Sequence, residues 1–381
     1  MKRSSERILT THTGSLPRPD DLLPLVEQKE AGTLRDAAAF SAAVKSAVNT
    51  IVRKQIECGV DVINDGEMDK PSYATYPKDR LSGFGGVSEG FFAIGDLTDY
   101  PEYGQRLFGS SPLANLQRPA CNGPVAYKDR AGLETELANL KAAVAGSHPA
   151  DVFMSAASPG VISIFLPNQY YKTHEAYLAA LADAMKVEYQ AIHQAGIVLQ
   201  VDCPDLAMGR HIQFPDASLA EFRKNIELHV EALNHALAGI PAESVRIHLC
   251  WGNYEGPHHR DVPLRDILDI VLKVNAAGIS YEASNPRHEH EWAVFKEVKL
   301  PAGKLLIPGV IDSVSNFIEH PELVAQRLCN VARLVGRENV IAGTDCGFAT
   351  VAGFHAVDPK ITWAKFQSMA EGARIASKEL W

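Results

Sequence analysis

An imidazole and a thiol stand two residues apart in the run Ile247-His248-Leu249-Cys250-Trp251. On a strand that spacing puts both side chains on one face, where they can share a metal. His-x-Cys alone is a weak signal. It strengthens with Glu282, in Ser280-Tyr281-Glu282-Ala283, and with Cys346, in Asp345-Cys346-Gly347, because both also end short apolar runs. Two thiolates, an imidazole and a carboxylate form a zinc set. The scattered spacing differs from the paired CxxC knuckles of small structural zinc modules. A chain of 381 residues, moreover, can bury a core without a metal staple. The metal expected here is therefore catalytic. Catalytic zinc keeps one coordination position for substrate, a metal-bound thiol is deprotonated, and the thiolate is the nucleophilic form. The set predicts a Zn2+ enzyme that binds a substrate thiol and alkylates it, with Glu282 giving up its position to the incoming sulfur.

Other candidates collect at the same kind of place. One run leads into Thr13-Gly14-Ser15-Leu16-Pro17-Arg18, a second into Asp65-Gly66-Glu67, and a third into Val201-Asp202-Cys203-Pro204-Asp205. Glu67 and Asp202 are candidates for catalysis and substrate binding, with helix N-capping as the plainer alternative. Arg18 or Arg210 offers a cation to an anionic substrate. Cys203 is expected as a pocket wall, and Cys58 and Cys329 as plain core. His288 and His290 look like a metal motif but lie past a strand end, so a solvated helix start is expected there. His258-His259 is expected in an exposed loop.

These residues need a frame that gathers them. Apolar runs recur at Ile8–His12, Val60–Asp65, Val152–Ala156, Ile197–Asp202, Val245–Trp251, Ile279–Ala283, Leu305–Ile311 and Val340–Thr344. Helical patterns lie between them at Ala37–Gly59, His174–Gly196, Leu219–Gly239, Leu264–Gly278 and Pro321–Gly336. Such runs suggest parallel strands covered on both faces. Eight of them with helices between are the arithmetic of a (β/α)8 (TIM) barrel, whose sites sit where strands give way to the following loops. A doubly wound sheet is the competing topology. The segment 66–150 interrupts the alternation and is expected as an elaborated loop after the second strand, with 121–127 forming a hairpin over the mouth. Its length makes it the candidate lid. The reading is thus one domain, 1–381.

Hydrophobic residues at 46% and charged residues at 22% fit a soluble globular protein. A net charge of −9 with no basic stripe argues against a nucleic-acid partner. No secretory h-region and no run of membrane-spanning length is visible, so a cytoplasmic protein is expected. Its six scattered cysteines are not a disulfide framework. Nothing in the sequence decides between a monomer and a homo-oligomer.

The chain resembles the C-terminal catalytic barrel of cobalamin-independent methionine synthase and its shorter single-domain relatives. His248-x-Cys250, Asp345-Cys346-Gly347 and Gly309-Val310-Ile311-Asp312 followed by Glu319-His320-Pro321-Glu322 carry the resemblance, with Val201-Asp202, Pro204 and Gly66-Glu67 adding to it. It implies zinc held by His248, Cys250, Glu282 and Cys346, homocysteine as acceptor and a methylated folate as donor. Ser15, Glu67 and Asp202 match positions that hold the amino-acid part of the thiol, and two carboxylates suit an ammonium group. Three features depart from the pattern. The N-terminal barrel of the full-length enzyme is not expected here, Asp-Glu-Pro is here Asp202-Cys203-Pro204, and the proton-donating histidine expected soon after Asp312 is missing, the chain continuing Ser313-Val314-Ser315. A methyl-corrinoid protein or a small methyl donor therefore stands beside methylfolate as the expected partner. An epoxide opened by a coenzyme M-type thiol is the rival chemistry. A metal-free decarboxylase-type barrel and a non-catalytic zinc protein are the readings from other classes.

Overall fold

A computed structural model of the chain describes residues 1–88, 94–108 and 118–381. Its strands, in chain order, are β1 (Leu9–Thr10), β2 (Val62–Ile63), β3 (Phe84–Gly85), β4 (Ala120–Cys121), β5 (Asp151–Ala157), β6 (Val198–Asp202), β7 (Val245–Leu249), β8 (Gly278–Tyr281), β9 (Leu305–Ile311) and β10 (Ile341–Thr344). Eight of them form one sheet in the order β1-β10-β9-β8-β7-β6-β5-β2, and all its pairs are parallel. The two end strands are joined without a regular ladder. Asp61 N–H donates to Thr10 O at 3.1 Å and Thr11 Oγ1 to Val62 O at 2.9 Å. The sheet is a nearly closed (β/α)8 barrel, and each of the eight expected runs supplies one of its strands.

Helices wrap the sheet, and their starts are written locally. Asp36 caps Ala37–Glu57, Asp129 caps Arg130–Val144, Thr173 caps His174–Gln194, and Ser218 with Glu221 forms a capping box on Leu219–Ala236. Pro321–Val335 and Pro359–Leu380 both begin with proline at the first turn. The helix expected over Leu264–Gly278 is instead a 3-10 turn, Leu264–Asp266, and one helical turn, Leu268–Val271. Leu264, Ile267, Leu268, Ile270 and Val271 are all buried there. Arg265, Asp269 and Lys273 stay exposed at helical spacing, so the amphipathic pattern is present while the backbone breaks into shorter turns.

The excursion after β2 is shorter than the sequence suggested. Its last part, Arg130–Val144, packs against Ala37–Glu57 as the barrel's own helix. Leu133, Leu137 and Leu140, at helical spacing, form its buried stripe. Within the excursion β3 pairs antiparallel with β4, so Cys121 joins a ribbon with Phe84 and not a hairpin within 121–127. Among the described residues no helix is long and apolar enough to cross a membrane.

Inside the barrel, β7 alternates as a strand must, turning Arg246 and His248 inward. The Arg246 guanidinium bonds through all three of its nitrogens: Nε donates to Gln200 Oε1 at 2.8 Å, one terminal nitrogen to Thr11 Oγ1 at 2.9 Å, the other to His12 O at 2.7 Å. It also lies 3.5 Å from the Phe153 ring centroid. This layer is a finished polar floor beneath the mouth.

Candidate metal centre

The next inward position on β7 after Arg246 is His248, and the residue just past the strand end is Cys250. Across the mouth, β10 ends at Thr344 and delivers Cys346. The imidazole and the two thiols offer ligand atoms that all lie within 4.8 Å of one another, and all three residues are buried. His248 Nδ1 is held by Ser280 Oγ at 3.2 Å, its partner in the β7–β8 register. Its Nε2 is buried and meets no hydrogen-bond partner. Buried ring nitrogens are seldom left unpaired. The opposite nitrogen of a metal-bound histidine is usually fixed by such a partner. An orphaned imidazole nitrogen facing two thiols fits zinc.

The thiols already share their protons unevenly. Cys346 S–H donates to Cys250, and with help from His248 this pulls the Cys250 thiol down to about 5 despite burial. Cys346 is pushed the other way by the same pairing and by burial. Cys250 is thus the readier of the two to ionise. Glu282 lies outside the trio of clustered donors. Its Oε2 accepts from Asn285 Nδ2 at 3.0 Å. Burial, with the charge of Cys250 next, raises its carboxyl well above the usual range.

What holds Glu282 and Cys346 in relation to each other is Asp345. Its Oδ1 accepts from the backbone N–H of Ala283 at 2.8 Å and of Ser284 at 2.9 Å, and its Oδ2 from Asn285 N–H at 2.8 Å. One carboxylate beside Cys346 therefore grips the loop that follows Glu282. A register shift between Gly343 and Thr344 in the β9–β10 pair turns Asp345 to do this. A side chain at Gly309 would put a Cβ 2.1 Å from Asp345 Oδ1. The two glycine-and-aspartate motifs of the sequence meet at this contact.

The other side of the mouth gathers Ser15, Glu67 and Asp202. Glu67 adopts φ +57°, a strained left-handed conformation for a non-glycine residue. Its Oε1 accepts from Ser155 Oγ at 2.6 Å, while Oε2 is buried and unpartnered. A Cβ on Gly14 would meet Glu67 Oε1 at 2.6 Å, so only glycine lets the carboxylate sit there. Asp202 Oδ1 accepts from Gln200 at 2.8 Å. Burial, then the charge of Glu67, lifts its carboxyl to about 7. Ser15 Oγ lies so close to Gly347 that a Cβ there would be 2.0 Å away. Neither carboxylate caps a helix; the capping alternative is set aside.

Arg18 is placed differently. Its guanidinium is buried and donates to the backbone carbonyls of Ala349, Glu67 and Lys70. It pins the loops behind Glu67, while its Nε is buried without a partner. Arg210 likewise donates to Phe214 O at 2.9 Å and Pro215 O at 3.3 Å. Cys203 is buried under the mouth with Sγ on Val201 O at 3.4 Å, and Cys58 and Cys329 are buried as expected.

Two expectations of solvated histidines hold only in part: His259 and His290 are exposed, but the other member of each pair is not. His258 and His288 are buried and share Asp261 Oδ2, at 2.8 and 2.9 Å. His288 stacks 4.0 Å from the Trp251 ring and also bonds Glu291 at 2.8 Å. Buried carboxylates drew these loops inward, which no local pattern announces. Sequence reasoning also missed Lys70, whose Nζ donates to Ser155 O at 2.7 Å behind Glu67. Tyr73 was missed as well: burial, then the charges of Cys250 and Cys346, raise its phenol well above the ordinary range. Both follow Glu67 within six residues on a loop leaving a strand end, the one signal that pointed to them. A cleft of about 500 Å³ opens beside Glu282, with Asn253, Asp312 and Ser313 on its walls.

Fold and site together define a (β/α)8 barrel with a thiol–imidazole centre at the carboxyl ends of its strands. The chain belongs to the cobalamin-independent synthase catalytic-domain family, whose model matches residues 158–370. It is 26% identical over 374 residues to a methionine synthase of Sulfolobus acidocaldarius, covering 97% of this chain and 93% of that one. A methionine synthase of Sulfurisphaera tokodaii is 27% identical over 373 residues, with 97% and 93% covered. Among solved structures, a B12-independent methionine synthase from Shewanella sp. W3-18-1 in complex with selenomethionine superposes with a TM-score of 0.75 at 20% identity. It covers 98% of this chain and 99% of that one. A putative vitamin-B12-independent methionine synthase from Listeria monocytogenes gives 0.65 at 18% identity, with 98% and 99% covered.

Proposed function

We propose that the protein is a zinc-dependent methyltransferase that methylates an amino-acid thiol of the homocysteine kind. His248 Nε2 carries this reading: a buried nitrogen without a partner, facing Cys250 and Cys346 at the barrel mouth. His248, Cys250 and Cys346 would hold the metal, with Glu282 as the ligand that yields to substrate. Zinc, when bound, supplies a Lewis acid that keeps the substrate sulfur deprotonated near neutral pH.

The remaining work belongs to the chain. Glu67 and Asp202 would receive the substrate ammonium, whose charge relieves their mutual repulsion and draws the shared proton off Asp202. Ser15, beside Cys346, would accept or donate at the amino-acid end. Asp345 fixes the loop carrying Glu282, so the arm that moves is hinged on a rigid contact. Tyr73 would help to keep water from the nucleophile. The selenomethionine bound to the Shewanella relative has the skeleton of a methylated homocysteine, which agrees with this acceptor.

A cobalt-substituted sample tests the acceptor. Homocysteine is expected to raise a sulfur-to-cobalt charge-transfer band, and cysteine or coenzyme M a much weaker one. Coenzyme M carries a sulfonate that Glu67 and Asp202 would repel. A band with coenzyme M alone would replace this reading by epoxide-type thiol alkylation, and no band with any thiol would leave only a structural metal.

A further inference from the structure

We infer that Asn253 is a positioning residue of the metal centre, tying the loop that carries Cys250 to the loop that carries Cys346. The inference rests on the zinc reading and names what fixes the spacing of its two thiols. That spacing needs a cause outside the sheet, because β8 and β9 lie between β7 and β10. Neighbouring strands are about 4.8 Å apart. Both cysteines, moreover, stand past the ends of their strands, where ladder hydrogen bonds no longer act.

The Asn253 amide spans that gap. Its Nδ2 donates to Gly347 O, one residue past Cys346, at 2.9 Å, with Thr350 Oγ1 as a longer partner at 3.4 Å. Its Oδ1 accepts from Ser313 Oγ, on the loop after β9, at 2.9 Å. A carbonyl oxygen can only accept, so the amide nitrogen must face Gly347 and the amide oxygen the Ser313 hydroxyl. One half-buried side chain thus joins three strand-end loops, and its orientation is dictated by its partners.

Each anchor is itself held. On either side of Asn253, Trp251 Nε1 donates to Val262 O at 2.7 Å and Tyr254 O–H to Asp96 at 2.6 Å. Beside Ser313, Asp312 N–H donates to Glu319 Oε1 at 2.8 Å, and the buried Lys365 Nζ donates to both Glu319 oxygens at 2.9 Å. The Glu319 motif, which the thiol chemistry leaves unused, is the brace behind Ser313. On the third loop Phe348 N–H donates to Ser15 O at 2.9 Å, so the Gly347 peptide is held from both sides. Asp345 ties Glu282 to the Cys346 loop, and Asn253 ties Cys250 to it. The two thiolates are the ligands that remain when Glu282 yields to substrate, so the tether acts on the half of the centre that must stay in place.

Chelator competition on the zinc-loaded protein tests the tether. Asn253→Ala should weaken zinc binding about 30-fold and Ser313→Ala about fivefold. Because Ser313 acts through Asn253, the double variant should be no weaker than Asn253→Ala alone. Asn253→Asp keeps the acceptor facing Ser313 and lacks the donor for Gly347 O. It too should weaken zinc, although its added negative charge would by itself favour a cation. In cobalt-substituted Asn253→Ala the d–d bands should shift while the thiolate-to-cobalt band keeps its two-sulfur intensity, since both cysteines remain. Metal-free Asn253→Ala should unfold at the wild-type denaturant midpoint. Wild-type zinc affinity in Asn253→Ala would overturn the inference, as would a Ser313→Ala loss that persists undiminished in the Asn253→Ala background. A fall in the metal-free midpoint that accounts for the lost affinity would make Asn253 a residue of the fold and overturn it too. Wild-type protein that takes up no zinc would instead remove the reading beneath it.

Discussion

Arg246 and His248 are neighbours on one face of β7, both buried, and they differ in what surrounds them. Arg246 finds an acceptor for each side of its guanidinium. His248, one pleat nearer the mouth, keeps a nitrogen with none. The same split holds across the barrel, where Gln200 uses both ends of its amide and Glu67 leaves Oε2 unmatched. A buried group without a partner costs about 1–3 kcal/mol. Arg246 and Gln200 avoid that cost, and His248 and Glu67 bear it. The unsatisfied layer is therefore the one shaped for a ligand, and the satisfied one for the fold.

Paired substitutions should break this contrast if it is wrong. Arg246→Leu leaves Gln200 Oε1 and His12 O without their donor and should cost about 3–5 kcal/mol in a denaturant titration. His248→Ala should change the unfolding of metal-free protein by only about 1 kcal/mol, yet weaken zinc binding about 10³-fold in a chelator competition. Equal stability losses in the two would erase the distinction. A smaller effect is expected from Asp345→Asn, which keeps one oxygen but disturbs the grip on Ala283, Ser284 and Asn285. Zinc affinity should fall about 10- to 100-fold with unfolding little changed. An affinity equal to wild type would mean that Asp345 does not position the site.

The smallest effect is in pH dependence. Burial and Glu67 lift the Asp202 carboxyl from its ordinary 3.8 to about 7, so the folded chain holds that proton more tightly than the unfolded one. Its contribution to stability is complete below pH about 4 and is lost as pH rises through about 7. Asp202→Asn cannot ionise. Wild type should therefore lose stability relative to the variant across that window in metal-free protein. Parallel profiles would show that Asp202 ionises freely and that the pair is not strained.

The strands were legible because a parallel barrel buries both faces, and runs such as Leu305–Ile311 leave little else to read. His248, Cys250 and Cys346 were legible for a related reason: strand alternation and strand ends fix where such side chains point. Arg130–Val144 escaped notice although its leucines keep helical spacing, because the glycine- and proline-rich chain before it set the reading of the whole segment. Arg18 was read as a cation for substrate, and its three carbonyl partners are set by tertiary contacts that the sequence does not display. His258 and His288 were illegible for the same reason, since their partner Asp261 and their packing on Tyr254 and Trp251 are set by tertiary contacts.

The central claim is a metal held by two cysteines with room for a third sulfur. Zinc-edge X-ray absorption of loaded protein measures this directly. Two sulfur ligands are predicted, from Cys250 and Cys346, with His248 nitrogen and a lighter fourth ligand. Homocysteine should raise the sulfur count to three. Protein that binds no zinc, or a count that stays at two when homocysteine is saturating, would contradict the account.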